Sequence, residues 1–397
     1  MKKKITLTTT FIIISSLIIL LTYKKDNNVT FSDTLKNNNN ILSIMLETSS
    51  GSGDYQKSLS NSFPRNGYIF NENLSNCENG SKISWNEENK SVSVKSNKAD
   101  KCHLYFDIYE PTLAETIINL YTGTQGENSI YYHDSNLTNG ANDNSYRYAG
   151  SDPNNYVCFG SDEATCPVDN LYRIIGVFNN QIKLIKYDYA NSNLLGTNGE
   201  YSGYTYLKSS YSKYKGSLTS VDRYYWNKTE KTNSWNASLL NKTNLNINYL
   251  NNIGSKWSNM IATNNWRVGG YYSNKATSKV IFQNEMSSSI ISSAKVGLVY
   301  ASDYGFSVDP TIWTRALYEY SSSDITKLNW MYMGMSESTI TPTTASSSSM
   351  FYIQADGDLL NDEVIYDHAI RPTFYLNNSV IKTSGDGTKA NPYRISN

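Results

Sequence analysis

Leu171-Tyr172-Arg173-Ile174-Ile175-Gly176-Val177, followed after a short polar break by Ile182-Lys183-Leu184-Ile185, is the stretch that decides the fold class. Both runs are short and apolar and read as strands. Two more of the kind stand at 296–301 and 370–376, and what separates all four is mostly long polar loop. A doubly wound parallel sheet would alternate strand and helix, and that alternation is missing. The expected class is α+β, with few helices and long loops, over residues 110–397.

The helices that do show are limited. Glu110-Pro111-Thr112 opens one, because proline suits a first turn, and Leu113, Ile117, Ile118 and Leu120 follow at helical spacing up to Gly123. A second begins near Ser234, a good N-cap, carries Trp235, Leu239, Leu240, Leu245, Tyr249 and Leu250, breaks around 244–248 and stops at Gly254.

Upstream, residues 63–109 read as a small β module. Strands are expected at 67–70, 82–85, 91–94 and 103–108, with Asn79-Gly80 and Glu87-Glu88-Asn89-Lys90 as turns. Residues 26–62 read as a polar linker or stalk, interrupted by the apolar patch Ile41-Leu42-Ser43-Ile44-Met45-Leu46, a candidate first strand of the module.

Residues 1–25 place the rest of the chain. Lys2, Lys3 and Lys4 precede an uncharged run from 5 to 23, and Lys24, Lys25 and Asp26 close it. At about 1.5 Å per residue this helix spans close to the ~30 Å hydrocarbon core. The heavier positive cluster keeps the amino end cytoplasmic. No small-residue cleavage pattern stands before the end of the run, so it reads as an uncleaved signal anchor with the remainder extracellular; cleavage would make the protein secreted.

Lys+Arg and Asp+Glu each number 35, so no basic face for nucleic acid or anionic lipid is expected. Low charge is offset by Asn, Ser, Thr and 33 tyrosines. Tyrosine suits pleated sheets and also builds recognition surfaces, because it presents an apolar ring and a polar tip.

Four cysteines allow three pairings. The local one, Cys77–Cys102 with Cys158–Cys166, closes short segments in a compartment that permits oxidation, each bond contributing roughly 2.5–3.5 kcal/mol on the chain-entropy model. It requires Cα separations of about 4.4–6.8 Å. A Cys102–Cys158 bond would contradict both the pairing and a domain boundary near Tyr109.

The run His133-Asp134-Ser135-Asn136-Leu137-Thr138-Asn139-Gly140-Ala141-Asn142-Asp143-Asn144 is dense in hard oxygen ligands. Asp134, Asn136, Asp143 and Asn144 are candidate Ca²⁺ ligands. The loop is not an EF-hand, since Gly140 falls one position late and no Glu closes it; an Asx-rich turn capped by its own side chains is the alternative. Asp356-Gly357-Asp358 with Asp362 and Glu363 reads first as a hairpin turn. None of the three histidines sits in HExxH, and no Gly-x-Ser-x-Gly elbow occurs, so no catalytic set is assigned.

Several motifs together carry a resemblance. They are Pro153-Asn154-Asn155-Tyr156-Val157 with the 171–177 strand, Trp266-Arg267-Val268-Gly269-Gly270, and Val296-Gly297-Leu298-Val299-Tyr300-Ala301-Ser302-Asp303-Tyr304-Gly305. The last are Ile370-Arg371-Pro372-Thr373-Phe374-Tyr375-Leu376 and Asn391-Pro392-Tyr393-Arg394-Ile395. Residues 41–397 resemble uncharacterised surface proteins of Gram-positive bacteria (Bacillota), whose C-terminal domains are similar to the formylglycine-generating-enzyme and C-type-lectin superfamily. The catalytic members use a late pair of cysteines, and here none follows Cys166. The calcium-dependent lectins use a Glu-Pro-Asn-type triplet near the last strands, also missing. Within such a domain Arg371 is expected to anchor a strand through a buried carboxylate such as Asp303.

The resemblance and the missing catalytic set imply a membrane-anchored, non-catalytic adhesion protein that recognises an extracellular glycan or protein, with Tyr304, Trp313, Trp330 and Tyr332 as aromatic contacts. Two alternatives stand beside it: a divergent enzyme, of the formylglycine-generating type or a hydrolase using His133 or His368, and a structural envelope or fibre subunit.

Overall fold

The structure, a computed structural model, describes residues 28–32, 36–37, 40–60, 62–64, 67–95 and 99–397. The expected signal anchor lies outside the described residues; among those described, no helix is long and apolar enough to cross a membrane. The chain divides into two compact units, Met1–Glu110 and Pro111–Asn397.

The strands of the first unit are β1 (Asn28–Ser32), β2 (Lys36–Asn37), β3 (Asn40–Glu47), β4 (Tyr55–Lys57), β5 (Tyr68–Cys77), β6 (Lys82–Asn86), β7 (Ser91–Lys95) and β8 (Lys101–Ile108). They form one sheet in the order β1-β7-β6 and another in the order β2-β3-β8-β5, with β4 beside β3. Leu42, Ile44, Val92, Val94, Leu104 and Phe106 from both sheets share a core, and Trp85 packs its ring on Phe63, Phe70 and Phe106. The polar stretch 26–62 is therefore not simply a stalk. Its apolar patch forms β3, which runs parallel to β8 in the middle of a sheet. Burial of that patch outweighs the loop character of the Asn and Ser around it. Glu47 ties the end of β3 to its neighbours, accepting from Gly53 N (3.1 Å) and Ile108 N (2.9 Å).

Both local disulfides are present, and no cysteine is free. Cys158 and Cys166 have Cα atoms 5.8 Å apart, inside the expected window. Cys77 and Cys102 fall below it at 3.9 Å, because they face each other directly on the adjacent antiparallel strands β5 and β8.

The second unit is a mixed, strand-rich α+β structure. Its first helix, α1 (Leu113–Ile118), is shorter than expected and ends at Asn119. Thr112 caps it reciprocally: its hydroxyl accepts from Glu115 N (3.2 Å) while the Glu115 carboxylate accepts from Thr112 N (2.9 Å). The later helical stretch is π-helical over Leu240–Tyr249, continues through Leu250–Asn252, and stops at Gly254 with φ of +81°. It does not break at 244–248, because the asparagines there find partners outside the helix. Asn244 donates to the carbonyls of Leu195 (2.8 Å) and Asn198 (3.0 Å), and Asn246 accepts from Lys295 N (3.1 Å) and Val296 N (3.0 Å).

The central sheet is antiparallel and has seven strands: β9 (Ile130–Tyr132), β10 (Tyr146–Tyr148), β11 (Tyr156–Cys158), β12 (Leu171–Phe178), β13 (Gln181–Lys186), β14 (Val296–Gly297) and β15 (Thr373–Tyr375). The spatial order is β14-β15-β13-β12-β10-β9, with β11 also paired to β12. The strand expected at 296–301 is cut to two residues, and the chain then turns into α3 (Ala301–Phe306).

Candidate functional site

One row of the central sheet builds the site. Arg147 on β10 stands opposite Gly176 on β12, Gly176 opposite Lys183 on β13, and Lys183 opposite Tyr375 on β15. A bulge between Ile174 and Gly176 brings Gly176 into this row, and such bulges re-aim the residues that follow. A β-carbon at Gly176 would collide with the carbonyl of Tyr146. Phe178 and Gln181, two residues along from Gly176 and Lys183, fall on the same face.

That face is the floor of a cavity of about 380 Å³. Its walls come from Asn264, Asn265, Trp266 and Arg267 of a strand paired with Ile291–Ala294, from Phe282 and Met286 of α2 (Ser278–Ser287), and from Tyr300 and Asp303 at the start of α3. Trp266 is held by its Nε1–H on the Ala294 carbonyl (3.1 Å), and Tyr300 by its hydroxyl on the Arg267 carbonyl (2.9 Å).

Charge at the floor is paired within the protein. Asp303, 3% exposed, accepts from Arg147 Nη1 (2.9 Å) and Lys183 Nζ (2.5 Å). Arg147 also donates to Asp143 (2.7 Å) and to the Ser145 hydroxyl (2.8 Å). Burial opposes the charge on both cations, but the carboxylates of Asp143 and Asp303 on Arg147, and of Asp303 on Lys183, outweigh it and hold both pKa values above the ordinary range. Rings complete the surroundings: the Lys183 ammonium lies 4.4 Å from the Tyr300 centroid and 5.2–5.5 Å from those of Tyr375, Trp266 and Phe178. The cavity thus offers half-buried rings at Phe178, Phe282 and Tyr375, amides at its rim, and a rigid charge set with its signs already matched.

Glu285 lies behind this wall on α2. It is fully buried and accepts from the Thr341 hydroxyl (2.6 Å), Ser302 N (3.3 Å) and the Ser302 hydroxyl. Burial, only partly offset by those donors, pushes its pKa up from 4.5 to about 7. Between those values the folded protein keeps a proton that the unfolded chain releases. This stabilisation is complete below pH 4.5 and disappears as pH rises through about 7. Glu285→Gln should remove that slope, so that urea stability of the variant gains on wild type by about 3 kcal/mol across the interval. Neutral His133, whose pKa burial lowers, contributes the opposite slope equally to both proteins. Parallel stability curves for the two proteins would contradict the assignment.

The four aromatics proposed as contacts are corrected: all are core residues. Tyr304 donates to the Gly357 carbonyl (2.6 Å), Trp313 to Val308 (3.1 Å), Trp330 to Tyr148 (2.9 Å) and Tyr332 to Ala355 (2.6 Å). Each ring is buried and each polar tip is spent on a backbone carbonyl, so none presents a contact surface. Arg371 is paired with a buried carboxylate as expected, but that carboxylate is Glu337. Its Nε donates to both oxygens of Glu337 (2.8 and 2.9 Å), not to Asp303, which serves Arg147 and Lys183.

The oxygen-rich loop takes the Asx-turn form. Asp134 accepts from Asn136 N (3.0 Å) and Leu137 N (3.1 Å), and the Asn136 amide donates to Asp134 (2.9 Å). Asp143 is committed to Ser145 and Arg147, and Asn144, at φ +57°, accepts from the Tyr132 hydroxyl (3.2 Å). His133 sits at the centre, its Nδ1 accepting from Ala141 N (3.0 Å). Among the described residues no group of three His, Cys, Asp or Glu is placed to hold a metal ion. Asp356-Gly357-Asp358 forms a hairpin turn between Ser349–Ile353 and Leu359–Glu363.

Of the histidines named for hydrolysis, His133 is pinned by that backbone bond, and His368 is stacked on Tyr352 at 4.5 Å. In the first unit Ser43 Oγ lies 2.8 Å from His103 Nδ1, with Glu78 3.5 Å from Nε2. Ser43 is buried in β3 and its hydroxyl also bonds to the Cys102 carbonyl (3.3 Å), which marks a strand-to-strand tie. Arg147 and Lys183 were not among the residues expected at a site. The available signal was Gln181-Ile182-Lys183-Leu184-Ile185-Lys186, a strand with a lysine on each face. No family model matches this chain, and no curated protein or solved structure matches it either.

Proposed function

We propose that this chain is a membrane-anchored surface protein whose C-terminal unit binds an extracellular glycan, without catalysis, in the cavity over Arg147, Lys183 and Asp303. One observation carries the reading. Half-buried rings stand beside a floor whose two cations are already matched by carboxylates. A sugar presents C–H faces to rings and hydroxyls to fixed planar donors and acceptors, and it brings no charge that a matched floor would repel. Asn264 in the cavity wall also carries a buried amide nitrogen with no hydrogen-bond partner.

The C-terminal unit is read as C-type-lectin-like or formylglycine-generating-enzyme-like. Short helices around antiparallel sheets are consistent with that. So is the meeting, at one cavity, of three motifs that carry the resemblance, through Trp266, Tyr300 with Asp303, and Tyr375. The reading calls on no calcium. A glycan array probed with the full-length protein should give a small set of related hits, and Phe178→Ala should weaken them about tenfold. Silence across the array would end the glycan reading and leave the structural alternative in its place.

A further inference from the structure

β13 carries a second buried lysine. Lys183 and Lys186 are three residues apart on one strand and so project from opposite faces of the sheet. Lys186 is 1% exposed, on the face of Ile182 and Leu184, beside its cross-strand partner Tyr172.

Among the described residues no carboxylate forms an ion pair with it, although Asp169 lines the same cavity. The charged groups that act on it are Asp188, Asp169 and Arg371. Asp188 is spent: it accepts from Tyr189 N (2.8 Å), Ser217 N (2.8 Å) and the Tyr214 hydroxyl. Asp169 is exposed, and Arg371 is taken by Glu337. Among the described residues the Lys186 ammonium makes no hydrogen bond or ion pair, and burial holds it below the ordinary lysine pKa. A buried ammonium calls for a counter-charge or hydrogen bonds. A cavity of about 230 Å³ lies against it, lined also by the rings of Tyr172 and Tyr189 and the amides of Asn170, Asn191 and Asn193.

We infer that this cavity is a binding site for a small organic monocarboxylate, whose carboxylate pairs with Lys186 and whose body lies among the tyrosine rings and asparagine amides. The ammonium selects an anion. The limit to one charge follows from the neighbours: the site supplies a single ammonium without a close counter-ion, and a second negative charge would be repelled by Asp188 and Asp169. The acid could be free or carried by a sugar, and the test separates these sources. The site lies on the opposite face of the sheet from the glycan cavity, so failure here leaves that reading in place.

Calorimetric titration of the full-length protein with sodium acetate, sodium glucuronate and inorganic phosphate is the test. Both carboxylates should bind, with phosphate at least tenfold weaker. Lys186→Met should weaken carboxylate binding at least tenfold. Asn193→Trp, an exposed change at the cavity mouth that leaves the lysine in place, should do the same if the first variant fails to fold. Tighter binding of glucuronate than of acetate points to a sugar acid, and the reverse to a free acid. No binding by either carboxylate, phosphate binding as tightly, or undiminished binding by a folded variant would each overturn the assignment.

Discussion

Asp303→Ala is expected to cost the C-terminal unit about 3–5 kcal/mol, the usual loss when one member of a buried ion pair is removed. The reason lies in what remains. Asp303 bridges Arg147 and Lys183, each with side-chain exposure of 2% or less. Arg147 would retain Asp143, but Lys183 would be left charged among rings with no carboxylate. Loss of the positive partner should be milder: Lys183→Met keeps the length and the apolar stem, and Asp303 would still hold Arg147. Urea unfolding of both variants checks this. A loss below about 1 kcal/mol for Asp303→Ala, the range of an exposed pair, would show that the floor is not a buried charge network. Because the network positions the floor of the cavity, glycan binding should fall with it in any fraction that remains folded.

Arg371→Met should cost a similar amount, about 3–5 kcal/mol, through the charge it strands. Arg371 and Glu337 are each 2% exposed or less, and the guanidinium also donates to the Met331 carbonyl (2.8 Å). Truncating the arginine leaves a carboxylate in a site that water does not reach. The double variant Arg371→Met with Glu337→Leu removes both charges, and most of the stability should return, because a buried pair replaced by apolar groups of similar volume is close to neutral. Denaturant midpoints of single and double variants decide it. Equal losses in both would mean that packing, and not the stranded charge, sets the cost.

Local structure was legible where local chemistry decides it. The strands of the small module follow from their alternation and turn residues, the start of α1 from the opening Glu110-Pro111-Thr112, and both disulfides from proximity in sequence. What escaped depends on distant pairing. The parallel contact of β3 with β8 puts the candidate first strand in the middle of a sheet, and nothing within residues 26–62 names its partner. The bulge before Gly176 decides which side chains share a row with Lys183, and a one-residue shift in register would have put them on the other face.

The aromatic residues show the same limit. Tyr304, Trp313, Trp330 and Tyr332 differ little in sequence context from Phe178, Trp266 and Tyr375, which line the cavity. Only the folded arrangement of carbonyls and cations separates the two sets. Charge was the stronger clue. Arg147, Lys183 and Lys186 sit in short apolar strands, where ionised side chains rarely go fully inside without a partner or a task.

The most direct test of the account is the affinity of an array-selected glycan for wild type, Phe178→Ala and Lys186→Met, measured by calorimetry. Phe178 lines the cavity half-buried, so its loss should remove a ring contact with little damage to the core. Binding should be roughly tenfold weaker for Phe178→Ala, equivalent to about 1.4 kcal/mol, and unchanged for a neutral glycan with Lys186→Met. Full affinity in a folded Phe178→Ala variant would contradict it.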